Sequence, residues 1–116
     1  EELILLRAEA NIGLGNLGAA LADIDLIRVR SGGLPPYAGP MTQAALLDEL
    51  LYEKRYSLLF EGGHRWIDAR RYNRLNLLPR DLPAHRVAIK YPFPVGECDA
   101  RTPQPSPGCQ PEVGLP

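Results

Sequence analysis

Lysine is scarce in this 116-residue chain, two against eleven arginines, and so are tryptophan, methionine and phenylalanine, at one, one and two. No apolar run is long, since Leu3 to Leu6 is far too brief to span a bilayer. A net charge of −1 supplies no overall field to draw nucleic acid or an acidic membrane surface. The three serines, Ser31, Ser57 and Ser106, sit in no nucleophile elbow. His64 and His85 lack the serine or cysteine neighbours of a nucleophilic site. Gly13-Leu14-Gly15-Asn16 lacks the lysine and the preceding strand of a phosphate loop. No catalytic residue, no cofactor and no metal ligand set is therefore expected.

What is present is arginine, whose planar guanidinium suits bidentate pairing with carboxylates. The length fits one domain, 1–116, and hardly more. Glu1 to Leu6 is already helical in pattern, with no methionine, cap or targeting segment ahead of it, as expected of a chain cut inside a larger protein. The organisation expected is helical hairpins over 1–76 and a proline-rich coil over 77–116.

The first helix is expected over about Glu2 to Gly15. Leu3, Leu6, Ala10 and Leu14 step by three, four and four and share one face. A turn at Gly15-Asn16 leads to a second helix, about Leu17 to Arg30, with Leu17, Ala20, Leu21, Ile24 and Ile27 as its apolar stripe. Arg28 and Arg30 lie in its last turn, where cations complement the helix dipole. So short a connection makes the two helices antiparallel, and the pair has the pattern of a tetratricopeptide-like unit. Thr42 is placed to cap a third helix, about Gln43 to Phe60. Gly62-Gly63 ends it, and a fourth follows over about His64 to Leu75. The fold class is all-α: tetratricopeptide-like hairpins followed by a long proline-rich coil. The expected core is Leu3, Leu6, Leu21, Ile24, Leu47, Leu50, Leu51, Leu58, Phe60 and Trp66.

From Leu77 the character changes. Val87 to Tyr91 reads as one short strand or an extended run. The prolines that recur to the C-terminus argue against helix there. The two cysteines, Cys98 and Cys109, both fall in this tail. They are either two free thiols close in sequence or a disulfide, and the disulfide is the expectation. In the loop-entropy picture a bridge of that span contributes about 3 kcal/mol and fits an oxidising compartment.

The most informative stretch is Glu53 to Arg71, EKRYSLLFEGGHRWIDARR. Charged groups alternate there with large apolar ones, and such charges are costly to leave unpaired once buried. Glu61 stands four residues before Arg65, and Asp68 three before Arg71. Glu53, Glu61, Arg65, Asp68 and Arg71 are therefore expected to form a structural ion-pair lock. As catalytic carboxylates Glu53, Glu61 and Asp68 would have their acidity increased by the surrounding arginines, which removes a general acid. Glu61-x-x-His64 has the spacing of a di-metal helix motif, but no second copy exists and Gly62-Gly63 interrupts the helix. Trp66 reads as interface packing rather than a sugar platform. Tyr37, in a proline-rich loop, is the better exposed aromatic.

Three segments together resemble the C-terminal part of the SusD/RagB family of outer-membrane lipoproteins. They are LLRAEANIGLGNLGAALADIDLIRVRSGG, LLDELLYEKRYSLLFEGGHRWIDARR, and YPFPVGE followed by Ser106-Pro107-Gly108. Asp25, Lys54, Ala69, Ser106 and Cys109 depart from the family pattern. The resemblance implies a non-enzymatic protein at the cell-surface face of the outer membrane, held by a lipid anchor outside these residues. It implies binding of a glycan or other nutrient, with a TonB-dependent transporter as partner. It supplies no ligand residue here. A generic tetratricopeptide-type interaction scaffold is the second reading. A nucleic-acid contact through Arg65, Arg70, Arg71, Arg74, Arg80 and Arg86 is the third, and it is disfavoured by the mixed helical angles of these arginines.

Overall fold

Glu2–Gly13 forms the first helix, α1, in a computed structural model that describes residues 1–90 and 93–100. Its end is closed by Gly15 in the left-handed region, with the Asn16 amide donating to the Asn11 carbonyl at 2.8 Å. The three-residue turn sends the chain back as α2, Leu17–Arg30. Gly33, again left-handed, follows its last turn. A proline-containing loop then leads to α3, Gln43–Ser57. Thr42 caps α3 as expected, its side chain accepting from the Ala45 amide at 3.2 Å. Gln43 donates to the Ile12 carbonyl at 2.7 Å, which also accepts from the Gly15 amide at 3.1 Å, and so ties the start of α3 to the end of α1.

The chain is all-helical in its described elements, and it divides into two compact units, Glu1–Arg65 and Trp66–Pro116. In the first, α1, α2 and α3 each pack against the other two. Leu5, Ala8 and Ile12 of α1, Ala20, Ile24 and Ile27 of α2, and Leu46 and Leu50 of α3 make the core, with Leu58 just beyond. Leu5, Ile24, Leu46 and Leu50 are the largest side chains fully buried. Each such side chain stabilises the fold by roughly 1.5–3 kcal/mol relative to exposure.

The stripe of α2 is as expected: Ala20, Ile24 and Ile27 are buried, and Leu17 and Leu21 pack against them. That of α1 is not. Leu3 and Leu6 are 79% and 53% exposed, and Ala10 and Leu14 face outward too. The buried face is instead Leu5, Ala8, Glu9 and Ile12. These also repeat at three and four, so α1 carries two competing stripes, and the one containing a glutamate is the inner one. Phe60, expected in the core, is fully exposed. α3, expected to reach Phe60, ends at Ser57, and Phe60 itself takes a φ of 65°, so its side chain leaves the face shared by Leu50 and Leu58. Leu47 and Trp66 are half-buried.

The second unit begins within α4, His64–Arg71. Asp68, Ala69 and, beyond the helix, Leu75 are buried. Asn73 takes a left-handed φ of 55°, which asparagine tolerates, and a 3₁₀ turn follows at Leu75–Leu77. Trp66 donates its indole N–H to the Ala88 carbonyl at 2.8 Å, across 22 residues. The expected strand reduces to one bridging residue, Val87, among the described residues, and Tyr91 lies outside them. Against the expectation of a tail without helix, Val95–Ala100 forms the short helix α5. The segment contains no proline, and Pro94 just ahead of it accepts from the Glu97 and Cys98 amides at 3.0 and 3.1 Å. Cys98 is half-buried on α5, while Cys109, its expected disulfide partner, lies outside the described residues.

Candidate functional site

Three sets of oppositely charged side chains join the three helices of the first unit, one set per helix pair. Between α1 and α2, Arg7 grips Asp23 with both arms of its guanidinium, at 2.9 and 2.6 Å. Between α1 and α3, the Lys54 ammonium donates to Glu9 at 3.1 Å, both residues being buried. Between α2 and α3, Arg28 donates to Glu49 at 2.5 Å and to Glu53 at 3.1 Å, and its Nε donates to the Pro35 carbonyl at 2.8 Å.

The electrostatics of the last set are unbalanced. One guanidinium faces two carboxylates, so one negative charge is in excess. Burial pushes the Glu53 carboxyl above the usual range; the Arg28 hydrogen bond opposes this, and the Glu49 charge adds to it. Burial alone would lower Arg28, but the hydrogen bond with Glu53 and the charges of Glu49 and Glu53 hold it above its ordinary value. Arg7 is likewise raised, chiefly by its hydrogen bond to Asp23 and then by that charge.

Of the residues expected to make an ion-pair lock, Glu53 is buried and paired, but with Arg28 from α2, 25 residues away. Glu61 is exposed, and no ion pair joins it to Arg65 among the described residues. An i, i+4 pair requires continuous helix. Gly62 and Gly63 both adopt positive φ between the two residues, so α4 begins only at His64. Arg65 is half-buried, and its Nε has no hydrogen-bonding partner among the described residues. Asp68 is buried on α4 and Arg71 is exposed at its last position. His64 faces Glu2 at 3.6 Å, a charge pair when the imidazole is protonated.

Arg7, Glu9, Asp23 and Glu49 carry no role in the reading of the sequence, Lys54 stands there only as a departure from the family pattern, and Arg28 has only a dipole role. A signal was present. Glu9 lies one residue past Ala8 in a row of small and apolar residues, and Asp23 lies between Ala20 and Ile24 on the inward side of α2. A charge within an apolar stripe needs a partner.

Beside the Arg28 cluster lies a cavity of about 400 Å³. It is lined by Ser31, Gly32 and Leu34 after α2, by Tyr52, Glu53, Tyr56 and Ser57 of α3, and by Glu1. The rings of Tyr52 and Tyr56, one helical turn apart, are 4.8 Å from centroid to centroid and tilted by 57°. Arg55 sits over the Tyr56 ring at 5.5 Å. Neither histidine lines the cavity. What the lining offers is ring faces, hydroxyls and carboxylates.

Trp66 and Tyr37 are engaged elsewhere. Trp66 is half-buried, holds Ala88 and carries Arg70 over its ring at 5.4 Å. Tyr37, expected to be exposed, is half-buried against the core. Its amide donates to Asp25 at 2.8 Å and its hydroxyl to the Pro40 carbonyl at 3.3 Å. The ring lies over Gly39, where any Cβ would collide with the Tyr37 hydroxyl. Among the described residues no helix is long and apolar enough to cross a membrane, and no group of three or more His, Cys, Asp or Glu side chains is placed to hold a metal ion.

A family model described as "SusD family" matches residues 2–106. No curated protein and no solved structure matches.

Proposed function

The chain belongs to the SusD family, and from that membership we propose that it is part of a nutrient-binding protein of the outer membrane, without catalytic activity of its own. Members of the family are non-catalytic binding proteins associated with outer-membrane uptake. They generally work with TonB-dependent transporters and bind glycans. On this reading the parent protein is lipid-anchored at the cell surface and hands a glycan or other nutrient to a TonB-dependent transporter. The helices of this chain serve as scaffold, and the charge pairs among α1, α2 and α3 keep that scaffold rigid. The Cys98–Cys109 bridge belongs to the same proposal, since a surface protein folds in an oxidising compartment.

The family match over residues 2–106 carries this reading. The test is co-purification. A tagged parent protein expressed in its own host and extracted in mild detergent is expected to bring down a TonB-dependent transporter. In the same host its deletion is expected to abolish growth on one polysaccharide while leaving growth on the monosaccharide intact. A parent protein recovered alone from the soluble cytoplasm would overturn the proposal. Thiol titration in denaturant without reductant is expected to find no free thiol; two would remove the bridge and favour an intracellular interaction scaffold.

A further inference from the structure

The geometry points to a binding site for a small organic cation, an ammonium carried on a ring-sized body, in the cavity beside the Arg28 cluster. This goes beyond the nutrient-binding reading, because the family match says nothing of this cavity.

Three observations carry it. The cavity, about 400 Å³, lies within the size range of small-ligand sites. Its lining includes carboxylates but no arginine, lysine or histidine. Behind the lining, Arg28 is shared between Glu49 and Glu53, so Glu53 brings a partly uncompensated negative charge to the cavity wall while being 3% exposed. A carboxylate so poorly solvated gains more from an incoming cation than one in open water. The third observation is the tyrosine pair. Tyr52 and Tyr56 are 45% and 54% exposed, and tilted rings offer faces to a cation. Arg55, which is not part of the lining, already uses the Tyr56 ring in this way. Ser31 and Ser57 supply hydroxyls that can accept from the ammonium's other hydrogens. A neutral sugar would use the rings and hydroxyls but would leave the excess charge of Glu53 unanswered.

The test is isothermal titration of the whole chain, at low salt and neutral pH, with three probes of similar size: cyclohexylammonium, cyclohexanol and glucose. Cyclohexylammonium is expected to bind at least ten-fold more tightly than either neutral probe. Glu53→Gln, which keeps shape and removes charge, is expected to erase that preference. Tyr56→Ala, at an exposed position tolerant of truncation, is expected to weaken cyclohexylammonium several-fold with an unchanged far-UV spectrum. Equal affinity for cyclohexanol, tighter binding of glucose, no binding of any probe, or full affinity in Tyr56→Ala would each overturn the assignment. Tighter binding of glucose would at the same time favour the nutrient-binding reading, so failure of one is told apart from failure of the other.

Discussion

Different contacts stand out in the two compact units of this chain. The first, Glu1–Arg65, joins three helices around Leu5, Ile24, Leu46 and Leu50 and crosses each helix pair with charges 16 to 45 residues apart in sequence. The second, from Trp66, is built from shorter elements and brings Ala88 back to Trp66 through one indole N–H. A charge pair between helices fixes register as well as proximity, because a slip of one residue strands two buried charges. A tryptophan hydrogen bond to a backbone carbonyl fixes one point and is indifferent to the side chain there. The first unit is thus specified by partners chosen in pairs, while in the second, among the described residues, an indole hydrogen bond ties Trp66 to Ala88.

The comparison breaks most visibly at Lys54. Lys54→Ala leaves Glu9 inside the first unit without its ammonium and is expected to cost about 3–5 kcal/mol. That should lower Tm in a far-UV melt by roughly 10 °C or more. A loss of only a degree or two would place the pair among ordinary surface contacts. In the second unit, Trp66→Phe keeps an aromatic ring and removes the donor to Ala88. The expected cost is about 1 kcal/mol, measured by urea unfolding followed by circular dichroism.

A pH series sharpens the account of the Arg28 cluster. Because the carboxyl of Glu53 is raised above its ordinary value in the folded state, its contribution to stability is complete below the ordinary glutamate range. That contribution is lost as pH rises through the raised value. Glutamine does not titrate, so Glu53→Gln should gain stability relative to wild type as pH goes from acidic to neutral. Parallel Tm–pH curves would contradict the assignment. The smallest effect is expected at Glu61. It is exposed, so Glu61→Ala should change stability by no more than about 0.5 kcal/mol. A strongly destabilised variant would restore the lock first expected around that residue.

The sequence displayed the helices well, and the Thr42 cap and the stripe of α2 lie where periodicity put them. It was less informative wherever burial is decided by a partner distant in sequence. In α1 two stripes satisfy the helical repeat. The outer one, Leu3, Leu6 and Leu14, is the more hydrophobic, while the inner one carries Glu9. The partner of Glu9 on α3, Lys54, stands 45 residues on. The same holds for Glu53, whose neighbours in sequence include Lys54 and Arg55 but whose partner is Arg28. At Glu61 and Arg65 the correct spacing was present and the helix was not, because two glycines with positive φ intervene. The cavity had no linear signature at all, since its lining comes from the end of α2, the start of the chain and one turn of α3.

That oppositely charged partners hold the helices of the first unit is tested most directly by a double-mutant cycle on Glu9 and Lys54, with Glu9→Gln, Lys54→Met and the double variant unfolded in urea. The expected coupling energy is about 2 kcal/mol, the double variant being more stable than the sum of the single losses allows. A coupling indistinguishable from zero, with the two losses simply adding, would mean that the pair holds nothing together.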